Sequence, residues 1–283
     1  MRAPTRPVLR WHGGKWKLAP WIISHFPAHK VYVEPFGGAA SVLLQKDPAP
    51  CEVWNDLDGS LVNLFRVLRD APADLQRALD LTPYARGEYP SLYEPCEEPV
   101  EAARRFIARS FMGQSSKGAV RKSGFDSRIN GDGYLGRLNS LRGITEELPI
   151  IARRMSSVML EQADARTVIK RYDRADALIY ADPPYLPETR NSKSKVYQHD
   201  LDRDDHQALL EALVEFSGMV VLSGYPDPLY DDALSGWRRI ETRAYADGAL
   251  ERTEVVWLNA RCAEALDRRA GGACSPLFDR VRA

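Results

Sequence analysis

The N-terminal part of the chain alternates short apolar runs with segments of helical periodicity. Residues 31–33 and 51–54 are β-branched and aromatic runs, which predict two strands. Residues 39–45 have helical character, and the apolar positions within 57–68 recur with a helical period, so both segments are predicted to be helices. The order strand, helix, strand, helix indicates an α/β fold with a parallel sheet.

The same alternation returns after position 157. Asp204 or Asp205 is placed to cap a helix whose apolar positions fall between 209 and 216. Four further apolar runs predict strands, at 158–160, 177–181, 219–223 and 254–259. The sheet is therefore expected to continue through the C-terminal half of the chain.

The middle of the chain, from about 71 to 154, lacks this alternation. It contains a helical stretch near 100–111, and the segment 114–135 is rich in Gly, Ser, Asn, Arg and Lys, which predicts loops or a hairpin. We interpret this block as an insertion into the sheet domain. The predicted division is a discontinuous sheet domain of 1–72 and 155–262, an inserted domain of 73–154 and a tail of 263–283.

Composition adds a local charge bias to an otherwise neutral protein. The 283 residues are 44% hydrophobic, enough for an ordinary core, and carry 39 Lys and Arg against 39 Asp and Glu. Between 101 and 143, however, nine basic residues face three acidic ones. Such a segment is either a solvated basic face or a phosphate-binding surface.

Several classes of protein are disfavoured. The longest apolar runs are far shorter than a membrane-spanning helix, and the first ten residues lack the apolar centre of a signal peptide. The four cysteines form no C-x-x-C pair and have no metal-binding spacing with the five histidines. We therefore expect a cytoplasmic protein with reduced thiols, without a membrane span and without a metal site.

A glycine turn follows the first predicted strand. Gly37 and Gly38 allow a ligand to approach the backbone closely, although they do not form a dinucleotide fingerprint, and a tight turn without a ligand is the alternative. Asp56 ends the next strand, where an acid accepts hydrogen bonds from ribose hydroxyls or else caps a helix. Turn, strand and acid together favour a cofactor that contains a nucleoside.

The tetrapeptide Asp182-Pro183-Pro184-Tyr185 directly follows the strand at 177–181. Ligands of open α/β sheets bind beyond the carboxyl ends of the strands. The two prolines have no N–H, so the corner offers a carboxylate, carbonyl oxygens and an aromatic ring. A proline-rich turn with a capping Asp is the alternative. After such a strand, we interpret the corner as a site for a flat group that carries an amine.

Four segments match a known family in order and spacing. They are W-H-G-G-K at 11–15, E-P-F-G-G-A-A-S at 34–41, N-D-L-D at 55–58 and D-P-P-Y at 182–185. This set resembles the Dam-type (D12 class) adenine-specific DNA methyltransferases. The resemblance implies a Rossmann-like doubly wound methyltransferase sheet with an inserted, mainly helical and hairpin target-recognition domain. It assigns 1–72 and 155–262 to the S-adenosylmethionine-binding catalytic domain and 73–154 to the target-recognition domain. It also implies methylation of adenine N6 in double-stranded DNA, with S-adenosylmethionine as the cofactor and with the target base flipped out of the duplex.

The resemblance assigns roles to individual residues. Asp182 is expected to line the cofactor site and to accept a hydrogen bond from adenine N6, within a catalytic set of Asp182, Pro183, Pro184 and Tyr185. Lys15 is expected near the carboxylate end of the cofactor, and Asp56 at its ribose. The complete predicted cofactor set is Trp11, Lys15, Glu34, Phe36, Gly37, Gly38, Asp56, Asp164 and Asp182.

DNA contacts are predicted in two basic segments. Arg121, Lys122 and Arg128 lie in the middle block, where arginine is able to read guanine edges. Lys193 and Lys195 follow the catalytic motif and are expected to hold the backbone of the flipped nucleotide. A monomer or weak dimer is expected, and the compact size fits a restriction-modification or prophage setting.

Other functions remain open at this point. The same acceptor-rich corner would also serve cytosine N4 or an RNA base. A DNA-binding regulator of the same fold without catalysis is an alternative of a different class, which intact Lys15, Asp56 and Asp182 disfavour. A NAD-dependent enzyme is disfavoured because no G-x-G-x-x-G follows the first strand.

Overall fold

A seven-stranded sheet forms the centre of the protein within the residues that the computed structural model describes, which are 2–186, 188, 199–245 and 251–272. The strands are β1 (Val31–Glu34), β2 (Cys51–Asn55), β3 (Val158–Glu161), β4 (Ala177–Ala181), β5 (Met219–Gly224), β6 (Arg238–Tyr245) and β7 (Glu251–Leu258). Their spatial order is β3-β2-β1-β4-β5-β7-β6.

The first five strands in this order are parallel, and the last two are antiparallel to their neighbours. Val33 of β1 lies beside Val53 of β2 on one side and Ile179 of β4 on the other. The strand order reverses between β1 and β4, and at such a point the carboxyl ends of the strands leave a crevice for a ligand. The predicted Rossmann-like sheet is confirmed.

Nine α-helices accompany the sheet in the described part of the chain. They are α1 (Ala19–Ser24), α2 (Gly59–Asp70), α3 (Pro72–Asp80), α4 (Pro99–Met112), α5 (Gly136–Met155), α6 (Ala165–Arg171), α7 (Arg203–Glu215), α8 (Pro228–Ala233) and α9 (Ala260–Gly272). None of the helices that the structure describes is both long enough and apolar enough to cross a membrane.

The sheet is covered on both faces, which explains why its strands are apolar without alternation. Tyr32 and Trp54 point into one buried cluster, shared with α1 to α5 and α9. Val33 and Ile179 point into the other, shared with α6, α7 and α8. Successive residues of a strand face opposite sides, and β1, β2, β4, β5 and β7 each contribute to both cores.

The middle block is mainly helical, as predicted. Helices α3, α4 and α5 pack on one another and on α2, and they share the first buried cluster with the sheet. Antiparallel bridges join Gly113 to Phe125 and Ile129 to Leu135, and a tight turn at 130–133 closes the second pair into a short hairpin. The division into a catalytic and a target-recognition domain stays a prediction.

The helix predicted at 39–45 is wrong. The segment is a run of turns, in which Ala40 has a left-handed φ of 55°. This conformation is unfavourable for an L-residue inside a helix, so only isolated helical hydrogen bonds follow, such as that from the Leu44 N–H to the Ala40 carbonyl at 3.0 Å. The positive end of a helix therefore does not contribute to the glycine turn.

Other boundaries also differ from the prediction. Asp202, rather than Asp204 or Asp205, caps α7, and its carboxylate accepts from the Asp205 N–H. Helix α9 continues past position 262, where the catalytic domain was predicted to end. Strand β6 was not predicted, because it is an edge strand whose sequence is mostly polar.

Candidate active site

Asp182 stands at the carboxyl end of β4, between β1 and β5. Its side chain is 18% exposed, and its Oδ1 accepts a hydrogen bond of 2.9 Å from the Ser223 hydroxyl at the end of β5. The Ser223 Oγ also lies 3.1 Å from the hydroxyl of Tyr180. Neighbouring strands of the sheet therefore fix the orientation of the Asp182 carboxylate while part of it remains accessible.

Lys15 joins three distant parts of the chain at this corner. Its Nζ lies 3.2 Å from the Asp182 Oδ1 and 3.2 Å from the Glu254 Oε1, and it donates to the Tyr185 hydroxyl. The side chain is only 9% exposed. The predicted catalytic residues Asp182 and Tyr185 are thus brought together with a predicted cofactor residue.

Tyr185 is held by its hydroxyl and by its ring. The hydroxyl donates to the Glu254 Oε1, and the ring stands edge-on to Tyr225 with centroids 4.4 Å apart. Burial raises the pKa of Tyr185 well above its usual value, and the carboxylates of Asp182 and Glu254 raise it further. The phenol therefore stays protonated and keeps its hydrogen bond to Glu254.

Glu254 is a site residue for which the sequence analysis gave no role. It lies on β7, is 3% exposed and contacts both Lys15 and Tyr185. Burial raises its pKa, and so does Asp182, whereas Lys15 lowers it. A signal was present in the sequence: a single acid begins the otherwise apolar run 254–258, and a buried charge of this kind requires a partner.

The glycine turn lies between β1 and β2, beside this corner. The Gly37 N–H donates to the Asn55 carbonyl at 2.7 Å, and a Cβ at position 37 would clash with the indole of Trp54. Gly38 has a φ of 49°, and its N–H donates to the Asp56 Oδ2 at 2.9 Å. The turn therefore requires glycine at 37 for space and favours it at 38 for conformation.

Asp56 is fixed at the end of β2 by two backbone groups. Besides the Gly38 N–H, its carboxylate accepts from the Asp58 N–H at 2.9 Å. Burial raises the pKa of Asp56 to about 6, although both hydrogen bonds oppose the shift. The Asp56 carboxylate is therefore held by backbone N–H groups directly at the glycine turn.

Trp11 connects the N-terminal segment to the turn. Its indole Nε1 lies close to the position that a side chain at Gly38 would occupy, and its ring packs edge-on against Phe106 with centroids 6.1 Å apart. Lys15, four residues later, reaches Asp182. The N-terminal segment thus runs along both the turn and the catalytic corner.

Three predicted cofactor residues are engaged elsewhere in the protein. Glu34 is 2% exposed and accepts from the Tyr32 hydroxyl at 2.6 Å, and burial raises its pKa to about 8. Phe36 packs against the second core cluster, and Asp164 caps α6 and pairs with Arg166 at 3.1 Å. Their contact with a cofactor stays a prediction.

The predicted DNA-binding residues differ in their surroundings. Arg121 and Lys122 are exposed. Arg128 is 68% exposed at its side chain but is bound to Asp126 through hydrogen bonds of 2.6 and 3.0 Å. Lys193 and Lys195 lie outside the described residues.

In the described ranges, no group of three or more His, Cys, Asp or Glu is arranged to hold a metal ion. The described site offers a carboxylate, a lysine and aromatic rings at the carboxyl ends of parallel strands.

Comparison with known proteins gives a consistent result. The "DNA adenine methylase" of Serratia marcescens is 25% identical over 199 residues, covering 68% of this chain and 72% of that protein. The "DNA adenine methylase" of Escherichia coli is 25% identical over 229 residues, covering 78% and 81%. The "Type II methyltransferase M.MjaIII" of Methanocaldococcus jannaschii is 24% identical over 235 residues, covering 71% and 76%.

A family model matches most of the chain. Residues 11–241 match the D12 class N6 adenine-specific DNA methyltransferase model, and this range contains the glycine turn, Asp56 and the catalytic corner. Because the match spans most of the chain, the protein belongs to the D12 class N6 adenine-specific DNA methyltransferase family.

Proposed function

We propose that the enzyme transfers the methyl group of S-adenosylmethionine to N6 of an adenine that has been flipped out of duplex DNA. The observation that carries this proposal is the accessible Asp182 carboxylate, held by Lys15 and Ser223 beside the glycine turn and Asp56. An acceptor for an amine and a nucleoside-binding turn then lie at one edge of the sheet.

The residues at the turn fit a nucleoside cofactor. Gly38 is partly exposed at the turn, Asp56 offers a carboxylate to a ribose, and Trp11 offers an aromatic ring next to Gly38. Lys15 is the proposed contact near the carboxylate end. When bound, S-adenosylmethionine supplies an electrophilic methyl group on a sulfonium, so the protein needs no nucleophile of its own.

The proposed work of the catalytic corner is to orient the amine. The lone pair of an exocyclic amine is delocalised into the base and has to be localised on nitrogen for attack. Hydrogen bonds from N6 to the Asp182 carboxylate and to the Pro183 carbonyl favour the tetrahedral nitrogen and hold it in line. The absence of an N–H on Pro183 and Pro184 prevents competition from backbone donors at this corner.

Access to the corner requires base flipping, because a stacked adenine lies inside the duplex. Extrusion of a base costs about a few kcal/mol. Stacking on an aromatic ring recovers about 1–3 kcal/mol. Tyr185 is the proposed stacking partner: its hydroxyl is bound to Lys15 and Glu254, and Tyr225 supports its edge, so its ring is held in one orientation.

The exposed hairpin of the middle block is the proposed DNA-facing surface. Ile129 and Tyr134, which lie on either side of its turn, are 67% and 62% exposed. Arg121 and Lys122 are exposed nearby in the chain, and we retain them with Lys193 and Lys195 as proposed phosphate or base contacts.

Incubation with methyl-labelled S-adenosylmethionine, followed by nucleoside analysis, tests the proposed function. Duplex DNA, single-stranded DNA and RNA are offered separately to the same folded protein. We expect label in N6-methyladenine from duplex DNA. Label in N4-methylcytosine, transfer to RNA alone, or no transfer by folded protein would contradict the proposal.

A further inference from the structure

Glu254 closes a triangle of polar atoms behind the catalytic corner. Its Oε1 lies 3.2 Å from the Lys15 Nζ and accepts from the Tyr185 hydroxyl, and the Lys15 Nζ in turn donates to that hydroxyl. All three side chains are at least largely buried, and the Asp182 Oδ1 lies 3.2 Å from the same Nζ. The Lys15 Nζ thus bridges the carboxylates of Glu254 and Asp182, and Asp182 is the proposed acceptor of the adenine amine.

We infer that Glu254 is a positioning residue for methyl transfer, which places the ammonium of Lys15 and the ring of Tyr185 so that Asp182 and the flipped base meet in the reactive geometry. The inference rests on the proposed function, and it adds a residue from the last third of the chain to the site. Glu254 itself does not touch the reacting atoms.

The reason lies in how Lys15 is shared. A lysine that had Asp182 as its single anionic partner would move onto that carboxylate and compete with the adenine amine for it. In the structure the Nζ is equally far, 3.2 Å, from the carboxylates of Asp182 and Glu254. The contacts of Asp182 with Lys15 and with Ser223 both fall on Oδ1. We therefore assign the hydrogen bond from the adenine amine to the other carboxylate oxygen of Asp182, Oδ2.

The same triangle fixes the aromatic ring. The Tyr185 hydroxyl accepts from Lys15 and donates to Glu254, so both hydrogen-bonding functions of the phenol are used. The Lys15 Nζ lies 4.4 Å from the ring centroid. Loss of the Glu254 carboxylate would therefore release the ring that is proposed to stack on the base as well as the lysine.

Strand β7 does not need this carboxylate for its own stability. Val255, Val256 and Leu258 are fully buried, and β7 is paired with β5 on one side and β6 on the other. Burial of a charge in such a strand is unfavourable compared with an apolar side chain of similar size. The contacts with Lys15 and Tyr185 explain the presence of an acid at this position.

The test compares Glu254→Gln and Glu254→Asp with the wild-type enzyme in steady-state methylation of duplex DNA, at a temperature where each protein is folded. We expect Glu254→Gln to lower kcat about 10- to 100-fold, with the KM for DNA within about twofold of the wild type. Glu254→Asp, which keeps the charge on a shorter side chain, should recover part of the loss. Glu241→Gln, on the neighbouring β6 with an exposed side chain, is the matched control and should leave kcat unchanged.

A double-mutant cycle with Tyr185→Phe separates positioning from a general structural effect. If Glu254 acts through Tyr185 and Lys15, the losses in kcat of Tyr185→Phe and Glu254→Gln should be clearly less than multiplicative in the double variant. A kcat for Glu254→Gln within about twofold of the wild type overturns the inference. So does a loss that follows only the unfolded fraction, or a fully multiplicative cycle. An inactive wild type, by contrast, would overturn the proposed function.

Discussion

Two buried lysines of this protein are surrounded by similar residues but are arranged for different purposes. Lys15 lies 4.4 Å from the centroid of Tyr185, and Lys46 lies 4.3 Å from the centroid of Tyr32. Each contacts a buried glutamate: Lys15 contacts Glu254, and Lys46 lies 2.5 Å from the Glu52 Oε1. Both lie on the side of the sheet that carries Tyr32 and Tyr180.

The two clusters differ in charge balance and in access. Glu52, 1% exposed at its side chain, is bound by two cations, because Arg154 of α5 adds contacts of 2.5 and 2.9 Å to that of Lys46. At the active site the ratio is reversed: Lys15 is shared by Glu254 and the partly accessible Asp182. The Glu52 cluster, in which two cations bind one solvent-inaccessible carboxylate, joins parts of the fold. The Lys15 cluster, in which two carboxylates share one cation and Asp182 is partly accessible, is suited to bind a substrate.

Removal of Arg154 should produce the largest loss of stability. Arg154→Met leaves Glu52 with Lys46 as its remaining cation and removes the ion pair that joins α5 to β2. It also removes the hydrogen bond of 2.8 Å from the Arg154 guanidinium to the Leu43 carbonyl. Breaking a buried pair in this way costs about 3–5 kcal/mol. Urea unfolding measures the loss, and kcat of the folded fraction should change little.

An exposed ion pair between an arginine and an aspartate provides the control for that experiment. Arg174 and Asp176 form a contact of 2.8 Å with side chains 58% and 35% exposed. Surface pairs of this kind contribute about 0–1 kcal/mol, so Arg174→Met should unfold close to the wild type. Equal destabilisation by Arg154→Met and Arg174→Met would contradict the structural role of the Lys46 cluster.

A substitution at the glycine turn should have an intermediate effect, concentrated at the cofactor end of the sheet. Gly37→Ala forces the backbone away from Trp54, which is fully buried and has no room to move. Overpacking of this kind costs about 1–3 kcal/mol. Calorimetric titration should show weaker binding of S-adenosylmethionine, whereas Gly236→Ala, where a Cβ meets open space, should bind as the wild type does. An unchanged affinity of Gly37→Ala for S-adenosylmethionine would contradict the assignment of the glycine turn to the cofactor site.

The smallest effect concerns the pH dependence of two carboxylates at opposite ends of β2: Glu52 near its beginning and Asp56 directly after its last residue. Burial acts to raise the pKa of Glu52, but the hydrogen bonds from Arg154 and Lys46 bring it below the usual value. Burial raises the pKa of Asp56 to about 6. Glu52 therefore adds stability at neutral pH that is lost in acid, whereas the folded state binds the Asp56 proton more tightly than the unfolded state, so this contribution to stability falls as pH rises through about 6.

One variant tests the expected direction in which the stability contributed by Asp56 changes with pH. Asp56→Asn removes the titration, so the variant should gain stability relative to the wild type at pH 7.5, and the difference should shrink towards pH 4.5. Thermal unfolding across this range, without cofactor, measures the difference. A gap that widens as the pH falls would show that Asp56 is stabilised as a carboxylate, contrary to its raised pKa.

Local sequence patterns predicted the sheet and the separate parts of the site. The strands β1, β4 and β5 appeared as apolar runs because the sheet is buried on both faces. Asp182 and Asp56 were predicted at strand ends, where the structure places them. The helix at 39–45 was wrong because the left-handed conformation of Ala40 follows from the packing of the turn and is not encoded in helix propensity.

Contacts between distant parts of the chain were beyond these patterns. Lys15 meets Glu254 only because β7 inserts between β5 and β6, and no local signal gives that strand order. The same holds for Arg154 and Glu52, which meet when α5 packs on the sheet. The partners of buried charged side chains depend on the tertiary arrangement. The sequence therefore predicted the catalytic corner at Asp182 but not the contact of Glu254 with it.

The most direct measurement is the single-turnover formation of N6-methyladenine in duplex DNA by three folded proteins: wild type, Asp182→Ala and Arg154→Met. Loss of a preorganised contact in the transition state lowers rates about 100- to 1000-fold. We expect such a loss, or no detectable product, for Asp182→Ala, and near wild-type rates for Arg154→Met. Product formation by Asp182→Ala at the wild-type rate, or label in cytosine instead of adenine, would contradict the assignment of this corner as the site of methyl transfer.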